Sequence, residues 1–159
     1  PALGLYKEYL GEEAAHLPGS ALMFPLAICA EEGAEGVVRG VLGVNEERQS
    51  VVFGADVPEG HLAQLMRGDT NSLIDGALQA ASLVADDVRS DALALVVSCV
   101  GRKLLLRQYT QDEIDVVCAQ LHIPLFGFYS HGEICPVTRG GSSSFHNQTM
   151  TITLLAEKM

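Results

Sequence analysis

The chain has 159 residues, 48% of them hydrophobic and 19% charged, which fits one globular domain that folds without staples and excludes disorder along its whole length. Its 20 acidic against 10 basic side chains leave a net charge of −10, which repels a phosphate backbone, and no basic stripe overrides it, so nucleic acid is excluded as a partner. The longest apolar stretches, such as Ala92 to Val97, fall far short of the ~20 residues that span a bilayer, so no membrane segment is expected.

The start at Pro1-Ala2-Leu3 has neither an initiator Met nor a basic and then apolar leader, and it reads as a piece of a longer chain. Leu3, Tyr6 and Leu10 repeat at helical spacing ahead of Gly11, a short opening helix ended by a glycine. Ala21 to Ala30 is apolar but contains Pro25, which makes it at best an edge or bulged strand. Val37 to Val44 and Ser50 to Ala55 read as meander strands joined by the polar link Asn45 to Arg48, and His61 to Arg67 as a third.

Ile74, Ala77, Leu78, Ala81, Val84 and Ala85 hold one face of a helix opened by Asp69 or Asn71. Ala92 to Val97 contains nothing polar, which predicts a central strand buried on both faces. Thr110-Gln111-Asp112-Glu113 reads as a capping box, with Ile114, Val117, Cys118 and Leu121 as the apolar stripe behind it. Pro124 to Ser130 is a strand, and Gly140 to Ser144 a flexible link. In the last strand Thr149, Thr151 and Thr153 alternate with Met150, Ile152 and Leu154. The order of elements predicts an α+β fold: a mixed, largely antiparallel sheet with two long helices packed on one face, in a single domain over 1–159.

Three polar clusters stand at predicted strand ends and are expected to converge: Ser98 to Arg102, Tyr129 to Glu133, and His146 to Thr149. In the first, Gly101 permits a tight turn after the strand, and Arg102 offers a planar donor pair for a carboxylate. In the second, Tyr129, His131 and Glu133 surround Gly132, and Glu133 would accept from a ligand ammonium or from Arg102. In the third, His146 shares the parity of the buried face, and Asn147 that of the wet threonines. Together with Cys99 these form a candidate ligand-binding set: Cys99, Arg102, Tyr129, His131, Glu133, His146 and Asn147. Each has a plainer reading, as a surface Arg, a solvated Glu or a core His satisfied by backbone.

Other chemistries find less support. His131-Gly132-Glu133 has the H-x-E spacing of zinc deaminases, but no P-C-x-x-C follows. No phosphate-cradling G-x-x-x-x-G-K-[ST] or G-x-G-x-x-G run occurs, and no cofactor is expected. Cys29, Cys99, Cys118 and Cys135 are widely spaced, which suits buried free thiols in a reducing, cytoplasmic setting, with no metal. A thiol-dependent hydrolase using Cys99 with His131 or His146 stays as an alternative, as does an interaction or oligomerisation module whose polar motifs only hold the fold together.

At these same clusters the sequence resembles the C-terminal domain of the FIST family, the F-box and intracellular signal-transduction proteins. The resemblance is carried by Val41 to Val44, Ser98 to Arg102, Gly127 to Ile134 and Phe145 to Thr149, with Ala2 to Gly11 similar to the helix that opens that domain. It implies a sensory domain, not an enzyme, that binds a small ligand such as an amino acid, with an N-terminal FIST domain in the same chain and an unidentified signalling partner. The family tends to carry an aromatic where this chain has His131, which implies a different ligand choice and pH sensitivity if the position lines a pocket.

Overall fold

The apolar spacing at the start folds as α1 (Ala2–Leu10), which buries Leu3, Tyr6 and Leu10 and ends where Gly11 takes φ 58. A computed structural model describes residues 1–34, 36–136 and 138–157. Two 3-10 stretches, Gly11–His16 and Gly19–Met23, lead into β1 (Leu26–Cys29). The expected edge strand is corrected here. Pro25 falls just before β1, where its missing N–H costs the ladder nothing, and β1 lies between β2 (Val37–Arg39) and β5 (Leu62–Leu65) in an antiparallel sheet.

The expected strand over 37–44 is broken at Gly40. β2 pairs with β1, while β3 (Val41–Asn45) turns back on β4 (Ser50–Phe53) as a separate hairpin. The meander is therefore two sheets.

α2 (Thr70–Ala85) is opened by Asp69, whose carboxylate accepts the Ser72 N–H at 2.9 Å while the Ser72 hydroxyl oxygen accepts the Asp69 N–H at 3.1 Å. β6 (Leu93–Cys99) is the centre of a second three-stranded sheet, antiparallel to β10 (Met150–Leu155) and parallel to β7 (Leu125–Ser130). Only one face of β6 is fully buried. Ala94, Val96 and Ser98 lie under the helices, whereas Leu93, Leu95 and Val97 are half-buried on the far side.

Val100–Leu106 is a helix, α3, where a tight turn at Gly101 was expected, so Gly101 and Arg102 point along a helix rather than into a loop. α4 (Thr110–Leu121) follows, but without the expected capping box. Its N-cap is Tyr109, the Thr110 hydroxyl donates back to the Arg107 carbonyl, and Glu113 turns into the core. Cys118, placed in the apolar stripe by spacing, is exposed.

β8 (Glu133–Pro136) and β9 (Ser143–His146) form a hairpin, so part of the expected Gly/Ser link is strand. Gln148, at φ 54, breaks the expected final strand and uncouples His146 from the parity of Met150.

The class is α+β. The main core joins Ala77 and Ala81 of α2, Val117 and Leu121 of α4, and Ala94, Val96 and Met150 of the mixed sheet; the small α2 residues let the two long helices approach closely over that sheet. A second core gathers Tyr6, Leu10, Ala21 and Val41 beneath the first sheet. Leu106 and Val117 are wholly buried, and each such side chain contributes about 1.5–3 kcal/mol of apolar burial. Among the described residues, no helix is long and apolar enough to cross a membrane.

Candidate functional site

The three polar segments do meet. Strand register sets Ser98 beside Tyr129 and Met150, Cys99 beside Ser130, and Glu133 beside His146, and the Cys99 N–H donates to the Thr149 carbonyl at 3.0 Å. At their junction lies Glu133, only 2% exposed, which accepts from the Ser130 hydroxyl at 2.6 Å and from the Thr149 N–H at 3.4 Å. Burial raises its pKa above the ordinary carboxylate value, and the two hydrogen bonds oppose that shift only in part.

Arg102 corrects the sequence reading most sharply. It was expected to reach solvent or a cleft, yet it is 4% exposed and pairs with Glu113, which is 0% exposed. Its Nε and Nη2 donate to Glu113 Oε2 at 2.9 and 2.8 Å, and Nη2 also donates to the Leu73 carbonyl at 2.7 Å. Glu113 Oε1 accepts from the Ser98 hydroxyl at 3.1 Å and the Tyr129 hydroxyl at 3.4 Å. Glu113 escaped sequence reasoning because its position suited a helix cap. A buried charge must be paired and hydrogen-bonded, and Glu113 is the buried residue of α4 that meets Arg102.

Tyr129 is half-buried, its pKa raised by burial and by Glu113, and the Lys103 ammonium sits 4.8 Å from its ring centroid. His146 is buried as expected, with Nε2 2.9 Å from Ser144 Oγ and 3.1 Å from the Cys135 carbonyl. A carbonyl only accepts, so Nε2 carries the proton, and burial lowers the ring's pKa. Asn147 was expected on the wet face but is buried. Its N–H donates to the Val38 carbonyl, and its Oδ1 accepts the Gly40 N–H at 3.3 Å, which ties the first sheet to the end of β9. His131 is exposed in the turn between β7 and β8.

Cys99 is buried and its thiol is raised first by burial and then by Glu133. Of the two histidines weighed as its partner, His146 is committed to Ser144 and Cys135, and His131 is exposed in its turn. The four cysteines are unpaired; only Cys99 is fully buried, against the expectation that most would be.

Every fully buried side-chain nitrogen and oxygen among the described residues has a hydrogen-bond partner. Such a satisfied network rigidifies a fold; it leaves little for a ligand to bind. The concave surfaces lie elsewhere. An apolar cleft of about 560 Å³ runs between α1 and strands β1, β4 and β5, and another of about 400 Å³ between α2 and β8 to β10. A third, about 460 Å³, has Leu22 and Met23 on one side, Arg67 to Thr70 at its floor, and Leu104 to Tyr109 opposite.

The junction holds the walls of this third cleft. The Gln148 side chain donates to the Leu22 carbonyl at 2.9 Å, and Arg102 grips the first turn of α2 through the Leu73 carbonyl. The Gly68 N–H closes the floor onto the Met23 carbonyl at 2.8 Å. Its charged residues, Arg67, Asp69 and Arg107, form no local motif. Only the folding of α2 against α3 reveals them as neighbours.

Among known proteins, the FIST C domain family matches over residues 2–136, which spans the first two polar segments and stops before β9 and β10. No curated protein and no solved structure matches the chain.

Proposed function

The chain belongs to the FIST C domain family, a family of signal-transduction sensory domains, and from that premise we propose that it binds a small ligand such as an amino acid in the cleft between the Leu22 segment, the start of α2 and the end of α3. One observation carries this reading: side chains of the polar segments brace the elements that form that cleft, with Gln148 on the carbonyl of the lining residue Leu22 and Arg102 on the carbonyl of Leu73, three residues into α2 from the lining residue Thr70. The cleft volume lies within the range of small-molecule sites. Ligand binding there would shift the first turn of α2 and, through Arg102 and Glu113, the packing of α4. The domain works as a binder without a cofactor and not as an enzyme, a reading supported by a Cys99 thiol whose pKa burial raises and by His146 being bonded to Ser144 and Cys135. Its setting is the cytoplasm, with an N-terminal FIST domain in the same chain.

A thermal-shift screen against amino acids and small carboxylates tests the proposal. Ligand at about a hundred times its dissociation constant stabilises the fold by about 2.7 kcal/mol. Leu104, 59% exposed on the cleft wall, tolerates a large replacement, so Leu104→Trp is expected to abolish the shift without unfolding the chain. A shift that survives Leu104→Trp moves the site elsewhere, and a screen without any shift ends the ligand-binding reading.

One observation favours an interaction role beside it. The far face of the mixed sheet exposes Phe126 at 49%, Phe128 at 59% and Leu155 at 46%. Sedimentation of the isolated chain distinguishes self-association through that face from a monomer.

A further inference from the structure

We propose that the ligand of this cleft carries a carboxylate, held by Arg67 and Arg107, with its apolar body against Leu22 and Leu104. The inference rests on the cleft being the ligand site and adds the chemical class. Its ground is the fate of the cations in a chain of net charge −10. Of the ten Lys and Arg side chains, Lys158 lies outside the described residues. Lys7, Arg89, Arg102 and Arg139 are paired with Glu46, Asp91, Glu113 and Asp87. Arg39 donates to the carbonyls of Asp56, Val38 and Phe145, and Lys103 sits over Tyr129. That leaves Arg48, Arg67 and Arg107 without an ion pair or side-chain hydrogen bond among the described residues, and two of these three line one cleft.

In a chain with twice as many acids as bases, two guanidinium groups without an ion pair line one concave surface. The acid beside them is already engaged. Asp69 Oδ1 accepts the Ser72 N–H as the helix cap; that bond is the main reason its pKa is lowered, and the charge of Arg67 is a lesser one. Two guanidinium groups against one carboxylate leave the cleft a net positive charge. A planar guanidinium matches a carboxylate through paired N–H donors, and the surrounding negative potential disfavours that anion everywhere else on the surface.

The probes are isocaproate, its neutral amide and inorganic phosphate, measured by calorimetric titration on the wild-type chain, Arg67→Gln, Arg107→Gln, Leu104→Trp and, as a control cation outside the cleft, Arg48→Gln. Isocaproate is expected to bind, the amide and phosphate to bind far more weakly, each cleft Arg→Gln change to weaken isocaproate about tenfold, as loss of a charge-assisted bond does, and Arg48→Gln to leave it unchanged. Equal binding of acid and amide, with Leu104→Trp abolishing both, overturns the carboxylate class while the cleft stands as the site. Isocaproate binding that ignores Arg67, Arg107 and Leu104 overturns both. Phosphate binding as tightly as isocaproate, or no binding of isocaproate at all, overturns the assignment of a carboxylate.

Discussion

Arg102 Nη2 donates at once to Glu113 Oε2 at 2.8 Å and to the Leu73 carbonyl at 2.7 Å, so one guanidinium couples α3 to both long helices inside the core. With 4% and 0% of the two residues exposed, the pair stands where breaking it leaves a bare charge. Arg102→Ala is expected to destabilise the fold by about 3–5 kcal/mol, because Glu113 stays buried without a counter-ion. The double change Arg102→Met with Glu113→Leu is expected to recover much of that loss. Urea unfolding of the wild type and the two variants measures both, and a cost below about 1 kcal/mol for Arg102→Ala contradicts the structural role.

Glu133 predicts a pH dependence. Burial raises its pKa above the ordinary 4.5, so the folded chain holds this proton more tightly than the unfolded chain. Its contribution to stability is present in full below that value and fades as the pH rises through the raised one. Glu133→Gln, which keeps an acceptor for Ser130 but has no proton to lose, is expected to gain stability relative to wild type as the pH rises from the ordinary value toward neutrality. Denaturation curves across that window test it, and a difference independent of pH contradicts it.

Gly54 makes room for Asn147. A Cβ on Gly54 falls 2.8 Å from Asn147 Oδ1 and 3.0 Å from Nδ2, inside contact distance. Gly54→Ala is expected to cost about 1–3 kcal/mol through overpacking. In an Asn147→Ala background the same change is expected to cost much less, since the two residues are in contact and their effects do not add. A double-mutant cycle with no coupling contradicts this.

Arg107 closes α3 at φ 51 and ψ −116, a backbone region that glycine adopts freely and other residues seldom do. Arg107→Gly is therefore expected to raise the melting midpoint, through relief of about 1 kcal/mol, while it weakens isocaproate binding about tenfold, as Arg107→Gln does. Melting and titration on the same protein separate the two effects. A variant that loses stability and binding together makes Arg107 a structural residue.

The sequence by itself determined the elements whose signal is local. Leu3, Tyr6 and Leu10 specify α1, the unbroken apolar run at Leu93 specifies the central strand β6, and the apolar faces of α2 and α4 specify two helices over one sheet, because burial periodicity follows backbone geometry within a few residues. It also located the convergence of the three polar segments, since strand ends in one sheet are neighbours. Only the tertiary structure decided what those residues face. Arg102 and Glu113 are 11 positions apart and each had a sound local reading, a solvent-reaching cation and a helix cap, until packing of α3 against α4 removed both from water and made pairing the lower-energy choice. The broken last strand depends on one residue, Gln148, whose positive φ no periodicity encodes. Arg67 and Arg107 are neighbours solely because α2 begins where α3 ends. The charge left unpaired in that cleft follows from six of the other described cations, Arg48 apart, having found partners elsewhere, which is a sum over the whole fold.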